Sequence, residues 1–425
     1  MYRDDYVDLM SETSAPLAKA TPATLFIVAL IVFIDMLGIG LIIPVLPGLL
    51  EQVTGLGLDE TAKIGGWLLF AYAMMQFVFA PIIGGLSDRF GRRPVLLATL
   101  FMLGIDYAIM AWAPTLFWLF IGRILSGIMG ASWAASNSCI ADVAGPETRG
   151  KYFGIMGAAG AAGFVIGPGL GGLLGTVDVR FPFVAASVLA ITGAIAGFWL
   201  LKETLPKDRR RAFSIKRANP LGTLIQMRQG PLVVGFLAVI FFSQLGAQSH
   251  QTVWAYHTEL LFDWNALQIG LSVALFGVML VVVQGGVTGK VIERIGPART
   301  ILLGFALSLP ANLFFAFAPA GYFMIIGIVI GAIGGMTFPA MQQMMSAKIS
   351  EDAQGELQGA IASTMSITAI IGPLIMTNAF STFADAEGLF FPGAPYFIAF
   401  LCGATAMAIA LWNIKRSGGW KVQAA

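Results

Sequence analysis

Charge is scarce in this chain. Only 11% of its 425 residues are Asp, Glu, Lys or Arg, against about a quarter in a soluble domain. Two cysteines exclude a disulfide scaffold, and two histidines beside them leave too few ligands for a zinc site. The net charge of +2 marks no nucleic-acid binder. Apolar residues make up 57% of the chain, with 51 Gly and 32 Phe. One or two soluble cores could not hide that much apolar surface. What remains is an all-α membrane protein of many spans.

A spanning helix needs roughly 20 mostly apolar residues. Twelve such stretches occur. In the first half they run over 24–46, 64–86, 95–113, 116–140, 152–174 and 183–201. In the second they run over 232–255, 269–292, 300–319, 322–347, 357–380 and 396–414. No short alternating strands of a β-barrel appear. The chain divides into a tail (1–21), a six-helix bundle (22–201), a linker (202–230), a second bundle (231–416) and a closing tail (417–425).

Lys and Arg set the orientation. With the N-terminus inside, 22 basic residues fall on the inner side, and only Lys63 and Arg180 fall outside. Both termini are therefore expected in the cytoplasm. The acidic first 21 residues lack the basic start of a cleaved signal, so the first span should be retained. The linker, with eight Lys or Arg, reads as a topology-setting, lipid-facing segment.

The halves match at a constant offset of 205. Gly84 falls on Gly289, Asp88 on Glu293, Arg89 on Arg294, Gly91 on Gly296, Gly122 on Gly327, Gly167 on Gly372 and Pro168 on Pro373. This ungapped register indicates a duplicated six-helix unit in parallel topology. Such halves pack about an axis along the membrane normal, with a site between them.

Three charged residues lie deep within the spans, away from their ends: Asp35, Asp106 and Arg123. Counted at about 1.5 Å per residue, each lies roughly 16–18 Å from the inner edge, so all share one depth. Charge at that depth is costly and marks function. One Arg cannot fully pair with two acids, so one acid should be free to carry a proton. A static buried salt bridge is the competing reading. No metal-ligand cluster and no nucleotide-binding loop occur in the spans, so neither a resident cofactor nor ATP drive is expected.

The motifs are specific. Gly84-Gly85-Leu86-Ser87-Asp88-Arg89-Phe90-Gly91-Arg92-Arg93-Pro94, between the second and third spans, resembles the signature loop of the major facilitator superfamily. Gly122-Arg123 to Gly127 in the fourth span is similar to the superfamily's R-x-x-x-G motif. Gly163, Gly167, Pro168, Gly171 and Gly172 in the fifth look like the motif of its proton-driven antiporters. Asp35 to Pro47 resembles the first helix of the twelve-helix drug:proton antiporters, most closely the tetracycline/proton antiporters.

The resemblance implies the major facilitator fold, with two pseudo-symmetric halves, and alternating access rather than enzymatic chemistry. It implies a proton-coupled exporter of a drug-like amphipathic compound, with a metal chelate as one form of the substrate. The setting is the bacterial inner membrane and the expected state a monomer. Asp35, Asp106 and Arg123 would couple the proton. Gly84, Asp88, Arg89, Gly91, Arg92, Arg93 and Asp142 would form the inner gate, and Glu293 and Arg294 would repeat it.

One departure stands out. Those exporters carry a His in the eighth span and an Asp in the ninth, where Leu280 and Ser308 stand here. Coupling would then rest on the first half. The second half would give a polar, uncharged wall: Gln244, Gln248 and Gln251, which share one helix face, with Phe241, Gln284, Phe338 and Gln342. His250 and His257 are expected near the membrane interface. Export or import of an endogenous metabolite is the alternative function.

Overall fold

The computed structural model describes residues 22–130, 132–145, 147–213, 231–350, 353–385 and 388–416. The two tails and linker residues 214–230 lie outside the described residues.

Among the described residues the fold is helical throughout. In the first half come α1 (Pro22–Ile42), α2 (Leu46–Thr54), α3 (Leu58–Phe90), α4 (Arg92–Trp112), α5 (Leu116–Met129), α6 (Ser132–Val143), α7 (Arg149–Gly175) and α8 (Phe181–Leu200). The second half holds α9 (Pro231–Thr252), α10 (Trp254–Phe262), α11 (Ala266–Val282), α12 (Thr288–Ile295), α13 (Pro297–Phe317), α14 (Gly321–Gly334), α15 (Thr337–Ser346), α16 (Gln354–Ala384) and α17 (Ala394–Arg416). Twelve helical segments are long and apolar enough to cross a membrane; α5–α6, α11–α12 and α14–α15 each make one of them.

The duplication survives to the residue. Helices α4 and α13 begin and end 205 apart, and so do α5 and α14. Span 4 breaks after Gly130 and span 10 breaks after Gly335, again 205 apart. Gly91 has φ 106° and Gly296 has φ 80°, a left-handed turn that a Cβ would strain. Both glycines end one helix and start the next.

Spans 1 and 7 are shorter than the apolar runs suggest. The helix α1 stops at Ile42, and a second, α2, starts with Pro47 in its first turn. Proline has no N–H to give the preceding turn and fits a helix start. At the matching place α9 stops at Thr252, and α10 starts at Trp254. Each short helix ends on a left-handed residue, Gly55 or Asp263. Asn265 and Gln268 then form a capping box that starts α11.

Each half holds two apolar cores. Leu49, Leu50 and Phe183 anchor one in the first half, and Ile27, Leu96 and Met156 the other. Tyr256, Phe380 and Tyr396 anchor one in the second half, with Phe236, Ile301 and Ile414 in its neighbour. The outer face is apolar too: Trp112 is 68% and Trp199 78% exposed. That suits lipid, not water.

The halves meet through α3 with α16, α7 with α11, and α2 and α3 with α10. These contacts lie toward the end remote from the basic loops. There a Cβ on Gly66 would strike Thr377, one on Gly172 would strike the Ala266 carbonyl, and one on Gly270 that of Pro168. The Tyr256 hydroxyl donates to the Thr61 carbonyl at 3.5 Å. Toward the basic end packing between the halves is sparser among the described residues: Gly150, Gly154 and Gly157 on α7 have open space beside them, as do Gly285, Gly286 and Gly289 in the second half. Among the described residues the molecule is closed at one end and more open at the basic end.

Candidate functional site

Three features make up the site: a buried charge cluster in the first half, a latch at the basic end, and a cavity in the second half.

The cluster is formed by α1, α4 and α5. Asp106 is 0% exposed, Arg123 5% and Asp35 4%. Arg123 donates from Nη2 to Asp106 Oδ2 at 3.4 Å. That single contact is long for a charged pair, since bidentate Arg–carboxylate pairs sit at 2.7–2.9 Å. Asp106 Oδ1 and Arg123 Nε are buried without partners. The guanidinium also lies over the Tyr72 ring, 5.8 Å from its centroid. Asp35 makes no ion pair among the described residues; its carboxylate Oδ2 accepts from the Ser132 hydroxyl at 2.8 Å. Of the two acids, Asp35 is therefore the one without a cation. Tyr72 couples electrostatically to all three charges, and Gln76 fixes it, donating to the Tyr72 hydroxyl at 3.2 Å and to the Gly130 carbonyl at 3.0 Å. That second bond satisfies a carbonyl freed by the break between α5 and α6.

The latch turns on Arg92, which is 7% exposed. Its Nη1 meets Asp88 Oδ1 at 2.6 Å and donates to the Ser87 hydroxyl at 2.7 Å. Its Nε donates to Asp142 Oδ2 at 2.9 Å. The other two arginines of the loop take no part in these contacts. Arg89 lies over the Phe90 ring instead, and Arg93 donates to the Phe198 carbonyl at 2.6 Å. Glu293 and Arg294, expected to repeat the gate, form no ion pair among the described residues. The reason is plain in the register: Pro297 stands where Arg92 does, and Ala347 where Asp142 does.

Glu203, at the start of the linker, is a latch residue that the sequence did not reveal. Its Oε1 accepts from the N–H groups of Arg92 at 2.9 Å and of Thr204 and Leu205 at 3.0 Å each. A Cβ on Gly91 would run into this carboxylate. Arg210 pairs with its Oε2 at 3.7 Å, and the Arg211 N–H donates to the Asp88 carbonyl at 3.1 Å. The first part of the linker is thus folded onto the signature loop rather than spread toward lipid. Contact across 111 residues has no local signature.

The glycine motif of α7 is a seam. Cβ atoms on Gly163, Gly167 and Gly171 would strike the backbone of α1, at Phe33, Leu37 and Leu41. Gly172 faces α11 of the other half, and Pro168 sits between Gly40 and Gly270. Small residues at helical spacing permit this closeness.

A cavity of about 350 Å³ opens beside these elements. Among the described residues, only Ile43 and Phe164 reach it from the first half. Of the seven second-half candidates, Gln244, Gln251 and Phe338 line it. The other four do not. Gln248 is turned under Gly372, where the absent Cβ leaves room. Phe241 packs in the core, edge-on to Phe242. Gln342, past the break in span 10, meets Gln358 at 3.4 Å. Gln284 is exposed on a π-turn (Val283–Val287) toward the open end.

Ser243, His250, Trp254, Phe276, Phe315 and Asn312 also line it. His250 stacks on Trp254 and meets Phe315 edge-on at 5.0 Å. His257 is 0% exposed, its Nδ1 3.2 Å from the Pro392 carbonyl. Both histidines are interior, not interfacial, because the chain kinks at Val253 and folds α10 back over the closed end.

The family model of the Major Facilitator Superfamily matches residues 28–373 and 253–423. The chain is 40% identical to the tetracycline resistance protein, class C, of Escherichia coli, over 92% of this chain and 95% of that one. It is likewise 40% identical to the class G protein of Vibrio anguillarum, over 85% and 91%. Among solved structures, a bacterial homologue of the human lysosomal transporter Spinster, inward-facing and unoccupied, superimposes with a TM-score of 0.76. It covers 96% of this chain and 100% of that one, at 16% identity.

Proposed function

The chain belongs to the major facilitator superfamily and is a multi-pass secondary transporter of a bacterial membrane, not an enzyme; we propose that it exports a planar amphipathic compound in exchange for protons. The observation that carries this reading is Asp35, a buried carboxylate without a cation, set beside the Asp106–Arg123 pair. An uncompensated buried charge is expensive, and a proton removes the cost. The names of the two relatives, both tetracycline resistance proteins, support a drug-like substrate of that kind.

The orientation follows from charge. The excess of Lys and Arg in the inner loops supports a cytoplasmic open end at the inner membrane, with both termini on that side. Substrate enters the cavity from the cytoplasm. A proton taken from outside sits on Asp35, neutralises the cluster and lets the halves rock. Release of that proton inside leaves the carboxylate to the Ser132 hydroxyl. The transporter works as a monomer, with no resident cofactor, and the pH gradient supplies the drive.

Everted vesicles with an imposed pH gradient test this. The expected result is gradient-dependent uptake of tetracycline by the wild type and none by Asp35→Asn, with binding retained. Unchanged proton-coupled uptake by both Asp35→Asn and Asp106→Asn would refute the assignment.

A further inference from the structure

Among the described residues the wall of the cavity carries no Asp, Glu, Lys or Arg, and Asp35 and Asp106, at 4% and 0% exposure, do not reach it. A permanent cation entering here would shed water and meet no carboxylate. Desolvating a charge without a partner is expensive, and the aromatic faces of Trp254 and Phe315 would return only part of that cost.

Several polar groups of the wall are already engaged, mostly with backbone carbonyls, while the Gln244 and Gln251 amides face the cavity. Trp254 Nε1 donates to the Ser272 hydroxyl at 2.9 Å. Ser308 Oγ donates to the Gly304 carbonyl at 2.9 Å, and Asn312 Nδ2 to the Ser308 carbonyl at 3.1 Å. Two atoms are left buried without a partner, Asn312 Oδ1 and Ser243 Oγ. The first accepts only; the second accepts or donates. A buried acceptor without a donor is costly, and a ligand N–H or O–H removes that cost. The remainder of the wall, Phe276, Phe305 and Phe338 with Trp254 and Phe315, suits the faces of fused rings.

We propose that this cavity takes planar aromatic molecules in a net-uncharged form, an N–H or O–H on the ring edge donating to Asn312 Oδ1, and excludes permanent cations of the same shape. The inference rests on the reading of the cavity as the substrate site. It separates the two cargoes: substrate and proton share no side chain, so their exchange is linked through the rocking of the halves and not through competition for one acid.

The test is binding to the full-length protein in lipid nanodiscs without a pH gradient, so that it does not depend on proton transport. Three tricyclic probes serve: acridone, which is uncharged and carries an N–H; N-methylacridone, uncharged without it; and N-methylacridinium, a permanent cation. Acridone should bind at least ~30-fold more tightly than the cation. N-methylacridone should bind about 3–10-fold more weakly than acridone. Asn312→Ala should weaken acridone by the same factor and leave N-methylacridone unchanged. Asn312→Asp should bring the cation in. Equal binding of acridone and the cation, equal binding of the two acridones, or binding of none of them overturns the proposal, and each of these outcomes is read on the wild type. Proton-driven uptake measured in parallel fails or stands separately.

Discussion

Glu51 on α2 and Glu259 on α10 lie within electrostatic reach of each other across the closed end, one from each half. Burial and then the Glu51 charge push the Glu259 carboxyl up to about 7, and burial also raises Glu51. Asp59, Glu60 and Lys63 are the other charged groups on the neighbouring start of α3. A raised carboxyl favours the closed mouth when protonated. That contribution is fully present below the ordinary value of about 4.5 and is lost as pH rises through about 7. Acid on this face should therefore hold the mouth shut. Spin labels at Gln52 and Leu260 should report a distance that lengthens as pH rises from 5 to 8. In Glu259→Gln the short distance should persist throughout. A distance indifferent to pH in the wild type would refute the link.

Arg92 touches three side chains from one guanidinium. Lysine has the charge but not the fork. Arg92→Lys should slow turnover about tenfold or more with little change in substrate affinity, and Asp142→Asn should do the same. Stability should fall by on the order of 2 kcal/mol, less than for a fully buried pair because Asp88 is 45% exposed. Vesicle uptake rates and thermal unfolding of the purified variants separate the two effects.

At Gly172 a new Cβ would meet backbone of the other half rather than a movable side chain. Gly172→Ala should cost this conformation about 1–3 kcal/mol and shift the population toward the opposite one. Transport should drop several-fold. The distance between labels across α7 and α11 near the closed end should broaden; an unchanged distance with normal transport would contradict the seam.

Three backbone N–H groups depend on Glu203. Glu203→Ala should destabilise the first half by about 1–3 kcal/mol. Glu203→Gln, which still offers an oxygen, should recover much of the loss. Thermal unfolding monitored by circular dichroism in detergent compares the two variants directly; equal loss in both would assign the effect to charge alone.

Much of the frame could be read from spacing. The offset of 205 reappears in the bounds of α4 and α13 and of α5 and α14 because repeats inherit helix length together with sequence. The three buried charges were legible because lipid makes each of them conspicuous. Which acid stands alone was not, since that depends on a helix rotation that places Ser132 against Asp35 and Arg123 against Asp106. The wall of the cavity was half legible. Gln244 and Gln251 sit seven residues apart on an unbroken helix, so their face could be counted. Gln342 follows a break and Gln284 sits within a π-turn, and both irregularities reset the rotation that counting relies on. Glu203 was invisible because its partner is 111 residues away.

The second half keeps the helices of the first but has lost Arg92 to Pro297, Asp142 to Ala347, and all three buried charges. The first half keeps the charges and supplies almost none of the cavity. Neither could now stand in for its sibling. Two copies of the first would make an engine with nothing to carry, and two of the second a hold without an engine. The duplication thus became a division of labour, and a mutation at one site has no twin elsewhere in the chain to make good the loss.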